Sequence, residues 1–463
     1  MADSHKMFRR DFLRTAAAGA AWVLLDNRLT AAQQPATASH PVGRWPNTAL
    51  PTAADALTGV PISRITSGEG LHMLPYYTAN ALNADERFLC CSYDSGSKIS
   101  QAWIYSMETG KGHAVSNLPD GIQSESVAFH SEKPWLFYSS RNAVYWYDLA
   151  TEKTQELFRT ENDFLVKSEI SVGRDHVIFQ IFEWHKPGQG YDGQRPGNLM
   201  PFLSMPSYVI AVHIQTGVST VVWGENARLT HPVISPVDEN LVLYANQGSN
   251  ERLQELFTVP RVDRDHRKPV KLYQDNDQRP IYVGHAFFTL DGWVGTQMVE
   301  FGGRRPDGSF ADMVGYNAII KPDGTCDRRA RCPGGNKPVH VHAARADSWW
   351  VGDTLPMEGA ADPDMICIMK NKWETGYCQA EPLLAHGCTS KRPQHVHPRF
   401  TRDEKRILFI SDYPTGTGSQ IYVASIEEFL ANWKDRVPFT PRPWRYCYPP
   451  SEVRQRPKRG PNM

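Results

Sequence analysis

The sequence predicts an all-β fold, and three observations carry the prediction. Hydrophobic runs of strand length alternate with Gly, Ser, Asp and Thr turns, the same plan recurs seven times, and no long amphipathic helical pattern occurs before Ile426–Trp433. The units read as Leu82 to Gly110, Val127 to Thr151, Ile170 to Gly217, Pro232 to Pro260, Ala286 to Gly324, Ala343 to Gly376 and Pro398 to Ser425. Each has room for about four short strands, and repetition every roughly 40 to 55 residues is the pattern of radially repeated sheets. The expected architecture is a seven-bladed β-propeller of four-stranded antiparallel blades.

The ends are different in kind. Residues 1–32 contain Phe8-Arg9-Arg10-Asp11-Phe12-Leu13-Arg14, an Ala-rich apolar run from Thr15 to Leu25, and small residues at Ala31-Ala32. That is the pattern of a twin-arginine signal peptide, so the twin-arginine export machinery is an expected partner and the expected location is the periplasm or the medium. Residues 33–60, rich in Pro, Ala and Thr, are expected to be a flexible segment, 61–440 the propeller, and 441–463 a loose basic tail. The apolar run is too short for a permanent membrane span, and no other stretch approaches about 20 apolar residues.

Composition narrows the function. Fifty Lys and Arg balance fifty Asp and Glu, so no basic field points to nucleic acid. Eight cysteines in an exported chain favour disulfides, with Cys326 to Cys332 and Cys367 to Cys378 the expected pairs, while the absence of a Cys-x-x-Cys pair speaks against a zinc–thiolate site. There is no Gly-x-Ser-x-Gly elbow, dinucleotide fingerprint or P-loop.

The histidines are the chemical signal. In Gln394-His395-Val396-His397-Pro398, strand alternation puts His395 and His397 on one face, where two imidazoles can grip one ion. His231, His285, His340 and His395 follow one another at separations of 54, 55 and 55 residues, with His342 beside His340. Residues in equal phase on neighbouring inner strands converge near a propeller's axis, so four consecutive blades aim imidazoles at one place. The bland alternative is that they cap each blade's first turn. Crowded imidazoles resist protonation, which favours a metal or a catalytic role.

Three segments resemble the oligogalacturonate lyases: Leu229-Thr230-His231-Pro232-Val233-Ile234-Ser235-Pro236, Gly284-His285-Ala286-Phe287-Phe288-Thr289-Leu290-Asp291-Gly292, and His395-Val396-His397-Pro398-Arg399-Phe400. The resemblance implies a seven-bladed propeller acting on a uronic-acid oligosaccharide with a divalent cation, Mn(2+). It implies His231 as Brønsted base and His285, His395 and His397 as metal ligands. Two positions depart from the family. Arg392 stands where a glutamine ligand is expected, and an arginine cannot ligate a cation. Gln394 is adjacent to His395, so strand alternation points it to the opposite face from that histidine unless a bulge intervenes, and His342, His340, water or substrate are the alternatives for the missing ligand. Tyr208 stands where the family has a catalytic arginine, and Asn246-Gln247-Gly248-Ser249 replaces an acidic stretch.

The chemistry so implied is β-elimination: His231 removes the proton alpha to the uronate carboxylate, a cation or Arg392 stabilises the developing charge, and Tyr208 or water protonates the leaving oxygen. Arg392, Gln394 and Trp349 are candidate substrate contacts; tryptophans near Glu183-Trp184-His185 and Trp349-Trp350 equally suit packing between blades. The insertion His185 to Ser204 is long enough to cover one mouth of a channel. Two other readings remain open: a lyase for a different uronic-acid polymer, and a non-catalytic TolB-like propeller binding glycan or protein.

Overall fold

The computed structural model describes residues 52–55, 58–66, 70–161, 164–183, 206–246, 255–262, 268–273, 281–302, 313–332, 338–354, 365–385, 396–411 and 419–433. Among these residues the regular structure is twenty-nine strands and one short helix, α1 (Glu427–Ala431). The outermost strand of the chain, β1 (Thr52–Ala54), lies within the stretch expected to be a flexible lead-in, and it pairs with β2 (Pro61–Arg64).

The first antiparallel sheet runs β3 (Leu71–Met73), β4 (Phe88–Asp94), β5 (Gln101–Ser106), β6 (Gly112–Ala114). The second runs β7 (Val127–Phe129), β8 (Trp135–Ser140), β9 (Ala143–Asp148), β10 (Lys153–Arg159), and the third β11 (Phe164–Val172), β12 (His176–Glu183), β13 (Pro206–His213), β14 (Ser219–Asn226). The fourth runs β15 (Leu229–Ile234), β16 (Leu241–Asn246), β17 (Glu255–Pro260), β18 (Val270–Lys271). Two further sets of four, β19 (Ile281–Phe288) to β20 (Val294–Phe301), β21 (Met313–Ile320) and β22 (Arg328–Arg331), and β23 (Pro338–Ala343) to β24 (Trp350–Thr354), β25 (Met365–Lys372) and β26 (Tyr377–Ala385), join into one eight-stranded sheet. Their only paired residues are Arg331 and Tyr377, in parallel register, so each half keeps its own antiparallel order. In the last sheet β27 (Arg399–Phe400), β28 (Arg406–Ser411) and β29 (Gln420–Ser425) continue into β2 and β1.

The turn chemistry read from the sequence is where the chain bends. Gly110, Gly217, Gly324 and Gly376 all take positive φ, between 65° and 81°, in the hairpin before the fourth strand of their sets. Glycine populates that region without a Cβ clash. Strand interiors are buried on both faces: β4, β8 and β28 each have a single partly exposed first residue followed by buried ones. Their continuous apolar runs, rather than alternation, reflect sheets covered on each side by a neighbour. Ile178, Val209 and Val222 of the third set pack on Leu229, Val242 and Tyr244 of the fourth, and each fully buried Val or Leu adds about 1.5–3 kcal/mol.

First strands touch in series, β7 with β11, β11 with β15, β15 with β19, β19 with β23, and β23 with β27, while β29 meets β3 and β4 meets β7, so contacts return to where they began. The expected disulfides are not formed. Cys326 is exposed on a turn whereas Cys332 is buried, and both are free thiols. In the β25–β26 hairpin Cys367 lies opposite Pro382 and Cys378 opposite Asn371, a register that holds the two thiols apart. Cys388 and Cys447 lie outside the described residues.

Candidate active site

The inner strands share one irregularity. Pairing slips between Val166 and Ile170 in β11, Thr230 and Val233 in β15, Val283 and Ala286 in β19, and Pro338 and Val341 in β23. A bulge of this kind bends the strand and re-aims the extra residue. The residues so placed include Glu169, His231, His285 and His340, one from each of four consecutive sets. His231 and His397 take φ values of 54° and 46°, the left-handed region that costs a side-chain-bearing residue about 1–3 kcal/mol and persists where surrounding structure enforces it.

These side chains meet. The rings of His285 and His340 lie 4.2 Å apart, His340 and His397 4.5 Å, and His231 and His285 5.8 Å between centroids. The His340 backbone N–H and Nδ1 donate to Asp353 at 2.6 and 2.7 Å, and both residues are almost wholly buried. That carboxylate fixes the tautomer and leaves Nε2 as the nitrogen for a ligand. Glu169 stands in the corresponding place for His231: its carboxylate accepts the His231 backbone N–H at 2.9 Å and lies 3.1 Å from Nδ1 as an ion-pair contact. Glu125 Oε1 lies 3.6 Å from Nδ1 of His397.

Two tyrosines that the spacing argument did not single out fill the middle. Tyr76 stacks on His231 with centroids 4.7 Å apart and planes 8° from parallel, its hydroxyl 3.5 Å from Nε2. Tyr77 has its ring 5.9 Å from His285, 6.1 Å from His340 and 5.9 Å from His397, and donates its hydroxyl to Ala286 O at 2.9 Å. Burial pushes both phenols well above their usual range, so they stay protonated. The turn carrying them is clamped by Arg399, which donates to Ala79 O at 2.6 Å and to Pro75 O. Burial lowers that guanidinium to about 10, and it remains charged. Tyr77 also borders a cavity of about 500 Å³ whose wall includes His342, Arg399, Phe400, Ser171 and Ser235.

The remaining sequence-predicted residues fall elsewhere. His342 is turned away from the other imidazoles: it stacks on Phe287 at 5.5 Å, its Nδ1 accepts the Phe400 backbone N–H at 3.3 Å, and burial, then Arg399, lowers it to about 3. Pairing slips before Val341, and of the two histidines on β23 it is His340 that joins His285. Tyr208 sits on β13, the third strand of its set, between Ile181 and Gly224 and edge-on to Phe164, so it is a packing residue away from the imidazoles. Trp349 packs on Trp433 at 4.6 Å, with the Lys370 ammonium over its ring, instead of facing the site. His395, Arg392, Gln394, Trp184 and the insertion His185 to Ser204 lie outside the described residues.

The donor chemistry suits a divalent ion. Among the described residues no three of these donors close on a single point. Yet His285, His340 and His397 come from adjacent sets, and Asp353 supplies the outer carboxylate that imidazole ligands use.

No family model matches the chain. It is 21% identical over 421 residues to an oligogalacturonide lyase of Pectobacterium atrosepticum, covering 82% of this chain and 97% of that one. Among solved structures it superposes on an oligogalacturonate lyase in complex with manganese with a TM-score of 0.66 at 18% identity, covering 84% of this chain and 99% of the other. The oligogalacturonate lyase of Vibrio parahaemolyticus gives 0.66 at 17%, over 84% and 100%. The resemblance to oligogalacturonate lyases carried by three short histidine motifs therefore extends over nearly the full length of those proteins, in sequence and in fold.

Proposed function

We propose that the protein is a seven-bladed β-propeller lyase that cleaves oligogalacturonate or a related uronide by β-elimination. The observation that carries this reading is the Glu169–His231 pair standing beside His285 and His340, which lie on inner strands of neighbouring sets, and His397, which lies just before β27. Glu169 holds the Nδ1 side of His231, which leaves Nε2 to take the proton at C5 of the sugar, alpha to its carboxylate. His285, His340 and His397, with His395 from the same motif, would hold the divalent ion. Manganese is proposed because a structural neighbour is described in complex with it. Bound there, the ion supplies Lewis-acid stabilisation for charge developing on the uronate carboxylate. Arg392 and Gln394 are proposed to meet that carboxylate, and export through the twin-arginine pathway is proposed on the Arg9-Arg10 motif.

The test combines elemental analysis with an ultraviolet assay for unsaturated product on a panel of uronic-acid oligomers. His231→Ala should lose about 100-fold or more in kcat while retaining its metal, and His397→Ala should lose the metal. Absence of unsaturated product from every uronide with the wild-type protein would refute the reading.

A further inference from the structure

We propose that Tyr76 is the catalytic acid of this elimination, donating its phenolic proton to the departing glycosidic oxygen; the inference rests on the lyase reading above. The acid cannot be Tyr208, whose hydroxyl belongs to another strand and another neighbourhood. Tyr76 stands at the right place. Its ring lies flat against His231, edge-on to His397 at 5.4 Å and tilted to His285 at 6.3 Å, so it faces the proposed base and two proposed ligands together.

The surroundings hold it there at evident cost. Tyr76 is 4% exposed, and a phenol placed against an imidazole forgoes water that a phenylalanine would not need. Its backbone N–H donates to Glu125 O at 3.2 Å, and the Arg399 guanidinium spans the carbonyls of Pro75 and Ala79 on either side of it. Two carbonyls on a buried cation, with Nε left without a hydrogen-bond partner among the described residues, make Arg399 a positioning residue for the turn.

The step balances without water. The C5–H bond breaks toward His231 Nε2, its electron pair forms the C4=C5 double bond, and the C4–O4 pair leaves on oxygen. Tyr76 protonates that oxygen, and the imidazolium, 3.5 Å away, returns a proton to the phenolate. Both groups end as they began.

The experiment compares Tyr76→Phe and His231→Ala on oligogalacturonate and on a uronide bearing fluorine at C4, which departs as fluoride without protonation. Tyr76→Phe should lose about 100-fold in kcat on the oligomer with KM changed less than about threefold, and stay within about threefold of wild type on the fluoride substrate. His231→Ala should fail on both. Unchanged turnover of the oligomer by Tyr76→Phe, or an equal loss on both substrates as a packing role requires, overturns the assignment while the lyase reading stands. A wild-type protein inactive on both substrates overturns the two together.

Discussion

Histidines in this chain do two jobs, and their ring nitrogens tell them apart. His72 is wholly buried, with Nδ1 3.2 Å from Ser419 O, Nε2 2.8 Å from the Tyr105 hydroxyl, and its ring stacked on Tyr93 at 4.4 Å. The neutral ring donates from Nδ1 to the Ser419 carbonyl and accepts the Tyr105 hydroxyl at Nε2, so a second proton would have to reverse the Tyr105 hydrogen bond and charge a buried ring. Burial lowers this group from 6.5 to about 3. Its folded pKa is depressed, so the unfolded chain binds the proton first as pH falls. The stability it confers is fully present above about pH 6.5 and is lost progressively toward pH 3, at up to about 1.4 kcal/mol per pH unit. Urea unfolding of His72→Gln across pH 7 to 4 should therefore show a slope shallower than wild type by about that amount. Equal slopes would mean that His72 does not titrate on unfolding. His231 and His340 differ in having a carboxylate beside Nδ1, Glu169 at 3.1 Å and Asp353 at 2.7 Å, where His72 has a backbone carbonyl.

At the scale of elements, the inner-strand bulge is the device that builds the site, and it also explains what could be read in advance. Repeat phase placed His231, His285 and His340 together because bulges recur at equivalent points, so equal spacing survives them. Alternation within one strand does not survive a bulge, so the sequence offers His342 and His340 as equal alternatives for a ligand while the structure brings only His340 beside His285. Glu169 lies in the same phase, 62 residues before His231, but a glutamate in a chain with fifty acidic residues carries no such mark. Tyr76 and Arg399 had no periodic signal at all: one lies on a turn after β3, and the other acts through backbone carbonyls that a sequence does not display. The bulge in β19 depends on Gly284, where a Cβ would come 2.1 Å from the Gln297 amide nitrogen. Gln297 is 1% exposed and cannot swing clear into solvent. Gly284→Ala should thus cost about 1–3 kcal/mol in unfolding free energy and displace His285, lowering both metal content and turnover. A variant with wild-type metal content and activity would show that β19 tolerates the Cβ without moving its histidine.

For the whole molecule, the arrangement of inner strands is only as good as the closure of the circuit that carries them. Closure is made by chain segments more than 350 residues apart: β2 pairs with β29 through Ile62 and Ala424, Ile65 N donates to Ile421 O at 2.9 Å, and the Thr66 hydroxyl donates to Gln420 Oε1 at 2.8 Å. Next to this seam Leu71 bridges Ser419, and a core of Val60, Ile65, Leu74, Ile407, Ile421 and Phe429 runs across it. Without β1 and β2, the edge of β29 would present unpaired backbone groups beside the exposed faces of Ile421 and Ala424, the condition under which sheets aggregate. The tyrosine turn begins ten residues beyond Thr66, so a loosened seam would reach Tyr76 and through it His231. Deleting residues 1–66 should lower the thermal midpoint by about 10 °C or more and promote self-association, whereas deleting 1–51, which removes none of the described strands, should leave the midpoint within about 2 °C of the intact chain. Calorimetry on the two truncations decides it: equal midpoints would mean that the ring is held by contacts between neighbouring sheets alone, and that β1 and β2 only cover an edge already stable.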